Sequence, residues 1–94
     1  MIVTREYYHV MAWEDCSYCH SAIDLLTERR LEAHVEFLEQ GSEILLEAQH
    51  RHDWDTVPMI TRVAVDATGE ISQEFIGGYT DLLSYLGNNE EAQT

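Results

Sequence analysis

Two cysteines stand three positions apart, in Cys16-Ser17-Tyr18-Cys19, and their side chains are the ones in this chain best suited to covalent chemistry. The thiolate, not the thiol, attacks a disulfide. A cysteine at a helix N-terminus meets the positive end of the dipole and unpaired amides, which lower its pKa from about 8.5 to roughly 3.5–7.5. If a helix runs on from Cys16, three residues complete nearly one turn and bring Cys19 within bridging reach. Cys16 is then expected as the exposed nucleophile, and Cys19 as the thiol that attacks the resulting mixed disulfide and releases the product. Other readings of the pair are weaker. Structural zinc needs a second pair of ligands, and none of the five histidines stands at a recognisable Cys/His spacing. A structural disulfide belongs to small secreted scaffolds, which carry more cysteines at wider spacing. Chance placement is countered by two further motifs.

The second motif is Thr56-Val57-Pro58. A proline at the start of a strand is ordinarily an edge feature. Ahead of a strand that runs beside the cysteine strand, a cis Val57-Pro58 bond would turn the backbone of Val57 toward the cysteines and offer an open edge to an extended peptide. The third motif is Gly77-Gly78-Tyr79-Thr80-Asp81. It reads either as a strand end followed by a helix cap or as a binding turn. In the binding turn, bare glycines admit a ligand to the backbone, the amides near Thr80 hold an α-carboxylate, and Asp81 holds an α-ammonium group. His50 and His52, near Trp54, lack an evident third ligand and read as solvated residues rather than metal ligands. Tyr7, Tyr8 and Trp13 read as core or rim packing near the cysteine turn.

These motifs need elements to hold them. Residues 6–11 are aromatic and β-branched enough for a strand that ends before Trp13-Glu14-Asp15. Over residues 18–30, Cys19, Ala22, Ile23 and Leu26 recur at helical spacing, with Arg29 and Arg30 in the last turn. Residues 33–37 alternate as a second strand, and Ser42 caps a second helix striped by Ile44, Leu45 and Ala48. Residues 57–65 and 71–76 read as a hairpin turned by Asp66-Ala67-Thr68-Gly69. Thr80 or Asp81 starts a last helix closed by Gly87. The order β-α-β-α-β-β-α predicts an α/β domain over residues 1–87, with a four-stranded mixed sheet flanked by helices on both faces and a flexible tail over 88–94.

Ninety-four residues suit one domain, and 45% hydrophobic residues with a single proline exclude a disordered or fibrous chain. Eighteen acids face five arginines and no lysine, for a net charge of -13. That field repels phosphate backbones and anionic lipid, so nucleic acid and membrane surfaces are excluded as partners, and a basic or metal-bearing partner is favoured. No apolar stretch approaches the roughly 20 residues of a spanning helix, and no basic-then-apolar leader opens the chain. A cytoplasmic monomer is expected.

With the three motifs in this order, the chain resembles the glutaredoxin family of the thioredoxin superfamily over residues 7–86. The resemblance implies a thioredoxin fold and a glutathione-dependent thiol–disulfide oxidoreductase that reduces protein disulfides or glutathione mixed disulfides. By the same carry-over Cys16 is the nucleophile and Cys19 the resolving thiol, while Tyr18, Thr56, Val57, Pro58, Gly78, Tyr79, Thr80 and Asp81 line a glutathione site. Glutathione is the implied electron donor, and disulfide-containing or glutathionylated proteins the implied partners. Ribonucleotide reductase is a common acceptor in the family, although nothing in these residues selects it.

The departures from the family pattern matter. Many members carry a lysine three residues before the nucleophile, where this chain has Trp13, and a basic residue before Thr-Val-Pro, where it has Asp55. Glu14 and Asp15 add negative charge beside Cys16. Together these are expected to raise the nucleophile's pKa and weaken glutathione binding relative to members that keep the lysine. Ser17 replaces the common proline. Members with serine there include dimers bridged by a two-iron, two-sulfur cluster held by the first cysteine of each subunit and by glutathione. The resemblance thus carries an alternative, a cluster-binding dimer ligated by Cys16, against the plainer reading that Ser17 caps the helix. A thioredoxin-like reductant recharged by a flavoprotein reductase is a further alternative, opposed by the Gly77 to Asp81 motif.

Overall fold

The structure is a computed structural model that describes residues 3–93, with side chains through residue 87. Its elements are β1 (Val3–Ala12), α1 (Ser17–Glu28), β2 (Ala33–Phe37), α2 (Glu43–His52), β3 (Met59–Asp66), β4 (Ile71–Gly77) and α3 (Tyr79–Gln93). The strands lie in the order β2-β1-β3-β4. β1 pairs in parallel with β2, from Tyr8 opposite Ala33 to Ala12 opposite Phe37. It pairs antiparallel with β3, where His9 faces Thr61 and Met11 faces Met59, and β3 pairs antiparallel with β4. The parallel pair requires a crossover, which α1 supplies.

The pleat of β1 sends alternate side chains to opposite faces, and the two faces bury different partners. Tyr8, Val10 and Ala12 pack with Ile60 against Cys19, Ala22, Leu25 and Leu26 of α1 and Leu82 and Leu86 of α3. On the other face Leu45 and Ala48 of α2 pack with Met59, and Met11, Trp13, Leu38, Trp54 and Phe75 close around them. The helices therefore cover both faces, as the element order predicts, and the arrangement is a thioredoxin-like α/β fold. Leu26, Leu45, Ile60 and Leu82 are fully buried, each contributing about 1.5–3 kcal/mol of transfer free energy.

The element ends differ from the sequence reading where backbone geometry overrides periodicity. α1 stops at Glu28, so Arg29 and Arg30 fall outside its last turn. Arg30 is in the left-handed region at φ 58° and donates to Thr27 O, while Leu31 N donates to Leu26 O. Both bonds satisfy orphan carbonyls and turn the chain into β2. α2 is capped by Ser42, whose Oγ accepts from Leu45 N at 3.4 Å, as expected. α3 does not close at Gly87 but runs to Gln93. Gly87 adopts no left-handed cap, and Glu90, Glu91, Ala92 and Gln93 are helix-compatible residues that offset one interior glycine, which costs about 1 kcal/mol. The expected flexible tail, 88–94, thus continues the helix backbone to Gln93, and its side chains and Thr94 lie outside the described residues.

Because Leu26 anchors α1 to the sheet and α1 carries both cysteines, Leu26→Ala is expected to lower stability by about 2–5 kcal/mol. Urea unfolding of the reduced protein measures this as a lower midpoint at an unchanged slope.

Candidate active site

The site starts where β1 ends. The strand delivers the chain at Ala12, and a tight loop through Trp13, Glu14 and Asp15 reaches Cys16, whose N–H points at Trp13 O at 3.4 Å. His20 braces that loop, with Nε2 2.6 Å from Glu14 O. Cys16, not Ser17, is the N-cap of α1, with extended backbone at φ -102° and ψ 112°. Its Sγ accepts the Cys19 N–H at 3.1 Å, and its carbonyl accepts the His20 N–H at 3.2 Å. Ser17 is the first helical residue, so the expected capping role passes to the sulfur one position earlier.

The two thiols are free and differ in surroundings. Cys16 is half-buried at the surface, whereas Cys19 is fully buried against α1 and α3 core residues. Burial, then the hydrogen bond to Cys16, push the Cys19 thiol up to about 12. A thiolate there loses its hydration and gains little in return.

The other two motifs converge on this point. The Val57–Pro58 peptide is cis, and Cys16 Sγ lies 3.8 Å from Val57 O, its hydrogen-bond acceptor. Pro58 is buried. Tyr79 meets Tyr18 with ring centroids 6.3 Å apart, and Gly78 is so placed that a Cβ would lie 3.8 Å from Pro58 O. Gly77 has φ 124°, and a Cβ there would lie 2.6 Å from Asp81 Oδ2, so glycine is required on both counts. Asp81 Oδ2 accepts the Gly78 N–H at 2.9 Å, tying the start of α3 to the end of β4.

A cleft of about 950 Å³ opens beside Cys16. Three segments wall it: Trp13 to Tyr18, Phe37 to Gln40, and Asp55 to Val57. Of the residues expected to bind glutathione, Tyr18, Thr56 and Val57 line this cleft, while Pro58, Gly78, Tyr79, Thr80 and Asp81 are not in its wall. Four carboxylates, from Glu14, Asp15, Glu39 and Asp55, face it, and no arginine or histidine does. The segment from Phe37 to Gln40 was not anticipated. The signal for it is topological: a parallel β1-α1-β2 crossover sets the carboxyl end of β2 beside that of β1, where α/β sheets place their sites. A second cavity of about 360 Å³, between α2 and the sheet, contains neither cysteine. His52 stacks on Phe75 there at 4.2 Å, which is packing, and no group of three or more His, Cys, Asp or Glu among the described residues is arranged to hold a metal ion.

Two measurements follow from the contrast between the thiols. Iodoacetamide at pH 8 should alkylate Cys16 in the native reduced protein and reach Cys19 only after unfolding; equal labelling of both, read by peptide mass spectrometry, contradicts the burial. The linked effect on stability has a definite sign. Cys19 ionises near 9.0 when exposed but keeps its proton to about 12 when folded, so its support for the folded state is intact below pH 9 and lost as pH rises from 9 toward 12. Cys19→Ala should flatten the stability profile in that window, and an unchanged profile contradicts the assignment.

A glutaredoxin family model matches residues 3–67, which takes in β1, α1, β2, α2 and β3. No curated protein matches the chain. The match runs from the strand that delivers Cys16 to the strand that follows cis-Pro58, the framework on which the site is built. The chain belongs to the glutaredoxin family.

Proposed function

We propose that Cys16 and Cys19 are the redox pair of a thiol–disulfide oxidoreductase that reduces protein disulfides or glutathione mixed disulfides and is recharged by glutathione. The observation that carries this reading is the pairing of a sulfur at the helix cap, open to a cleft, with a buried thiol one turn on. Membership of a family of thiol–disulfide oxidoreductases supports it.

The exchange balances as follows. The Cys16 thiolate attacks one sulfur of the substrate disulfide, forming a mixed disulfide while the second substrate sulfur leaves and takes a proton from water. Cys19 then attacks Cys16 Sγ. The Cys19 proton passes to the departing substrate thiolate as the new bond forms. The products are a reduced substrate dithiol and an oxidised Cys16–Cys19 pair, two electrons having moved. Two glutathione thiols return the pair to the reduced state and become glutathione disulfide. In the monothiol route a glutathione thiol resolves the mixed disulfide instead.

The glutathione site in this proposal uses Tyr18, Thr56 and Val57 from the cleft, with Pro58, Gly78, Tyr79, Thr80 and Asp81 beside it. The free cysteines suit a reducing compartment, for which we propose the cytoplasm. No described helix is long and apolar enough to cross a membrane. A bridging two-iron, two-sulfur cluster, the alternative reading, would take Cys16 from each of two subunits together with two glutathione thiols; Cys19, fully buried, would take no part.

Paired variants test the proposal. Cys16→Ser should reduce both deglutathionylation and protein-disulfide reduction to background. Cys19→Ser should keep deglutathionylation with glutathione and glutathione reductase, yet stall on protein disulfides as a trapped mixed disulfide. Retained activity in Cys16→Ser would refute the assignment.

A further inference from the structure

The cleft beside Cys16 has a charge pattern that the exchange reaction does not need. Its four carboxylates come from three separate loops: Glu14 and Asp15 before α1, Glu39 between β2 and α2, and Asp55 between α2 and β3. None of them is paired with a cation among the described residues. The arginines are placed elsewhere. Arg5 pairs with Glu32, Arg51 with Glu47 and Arg62 with Glu6, while Arg29 and Arg30 follow the far end of α1, about 18 Å of helix from Cys16. The cleft wall also includes two exposed aromatic residues, Tyr18 at 63% and Phe37 at 45% exposure, the first beside Tyr79 and the second beside His20. Aromatic faces ringed by carboxylates suit a guanidinium or ammonium group, through ring stacking and ion pairing together. At about 950 Å³ the cleft lies at the upper end of the roughly 300–1,000 Å³ of small-ligand sites, with room for several residues of a polypeptide.

We propose that Glu14, Asp15, Glu39 and Asp55 make this cleft selective for cationic polypeptide disulfides, with Arg or Lys within a few residues of the exchanging cysteine, over anionic ones. The inference rests on the oxidoreductase reading above and names the substrate class of that same site. Like-charged carboxylates lower the local concentration of an anionic disulfide before any bond is exchanged, and raise that of a cationic one. The chemical step is unchanged: Cys16 Sγ bonds to the substrate sulfur, the substrate S–S bond breaks, and Cys19 completes the transfer. Selectivity therefore belongs in binding, and in its dependence on salt.

The test uses three peptide disulfides of one sequence, flanked by lysine, serine or glutamate, with the uncharged reductant dithiothreitol to recharge the enzyme, and reduction is counted only above the rate with dithiothreitol alone. At low salt the lysine peptide should exceed the glutamate peptide by about 10- to 100-fold in kcat/KM, chiefly through KM, and 0.5 M salt should shrink the gap to a few-fold. Glu39→Lys with Asp55→Lys should close or reverse the gap, and the neutral pair Glu39→Gln with Asp55→Asn should narrow it if the lysine variant fails to fold. Asp24→Lys with Glu28→Lys, exposed on α1, makes the same change in net charge and should leave the gap standing. Equal kcat/KM for the three peptides, or an equal response to the α1 variant, overturns the cleft's selectivity while reduction of the serine peptide keeps the oxidoreductase reading intact. Failure to reduce any of the three overturns both.

Discussion

The chemistry of this protein hangs on one hydrogen bond, from the Cys19 amide to the Cys16 sulfur at 3.1 Å. A helix start leaves several N–H groups without partners. Here one of them is taken up by the Cys16 sulfur, the atom that holds negative charge in the exchange we propose, so the bond that begins α1 also positions the proposed nucleophile. The same turn decides the fate of the second thiol. Cys19 projects to the side of α1 that Ala22 and Leu26 pack against the sheet, and it loses all contact with solvent. Two cysteines three positions apart thereby acquire different roles from helix geometry alone.

The polar interactions of the sheet brace its strands away from that turn. Arg62 of β3 reaches diagonally to Glu6 of β1 at 2.7 Å, half-buried, and the arginine's hydrogen bond and charge hold the Glu6 carboxyl below the usual range. Asp66 accepts from Thr68 N, Thr68 Oγ1 and Glu70 N, and these bonds keep its carboxyl low as well. Both contacts fix the hairpin whose first strand follows Pro58. The exposed pair of Arg5 with Glu32 sits at the opposite end of the domain from the cysteines and contributes little. Almost all of the protein's positive charge is thus committed away from the reactive sulfur.

Much of this was legible in the residues. Alternation at Tyr8 and Val10, the i, i+3, i+4 stripe of Cys19, Ala22, Ile23 and Leu26, and the Asp66 to Gly69 turn fix the elements because burial enforces their periods. Cys16 at the helix start follows from local residue chemistry in the same way, whereas Pro58 permits a cis bond without dictating it. What escaped was tertiary or terminal. Ser17 has the chemistry of a cap, yet the backbone of Cys16 takes the extended conformation a cap needs. Gly87 has the chemistry of a stop, yet no left-handed turn forms there. The role of Phe37 to Gln40 depends on a crossover that brings distant loops together, and no local pattern records that.

Most of the cleft's wall comes from inter-element loops and the first turn of α1, and Trp13, Leu38 and Val57 within it also pack on the core. The carboxylates that charge the cleft, Glu14, Asp15, Glu39 and Asp55, take no part in either core cluster. Glu39, Gln40 and Asp55 can change in charge and size under selection for a new client without reopening the core, provided Leu38, Val57 and the start of α1 are left alone. A scaffold divided in this way lets one redox engine be refitted to different clients by loop changes alone.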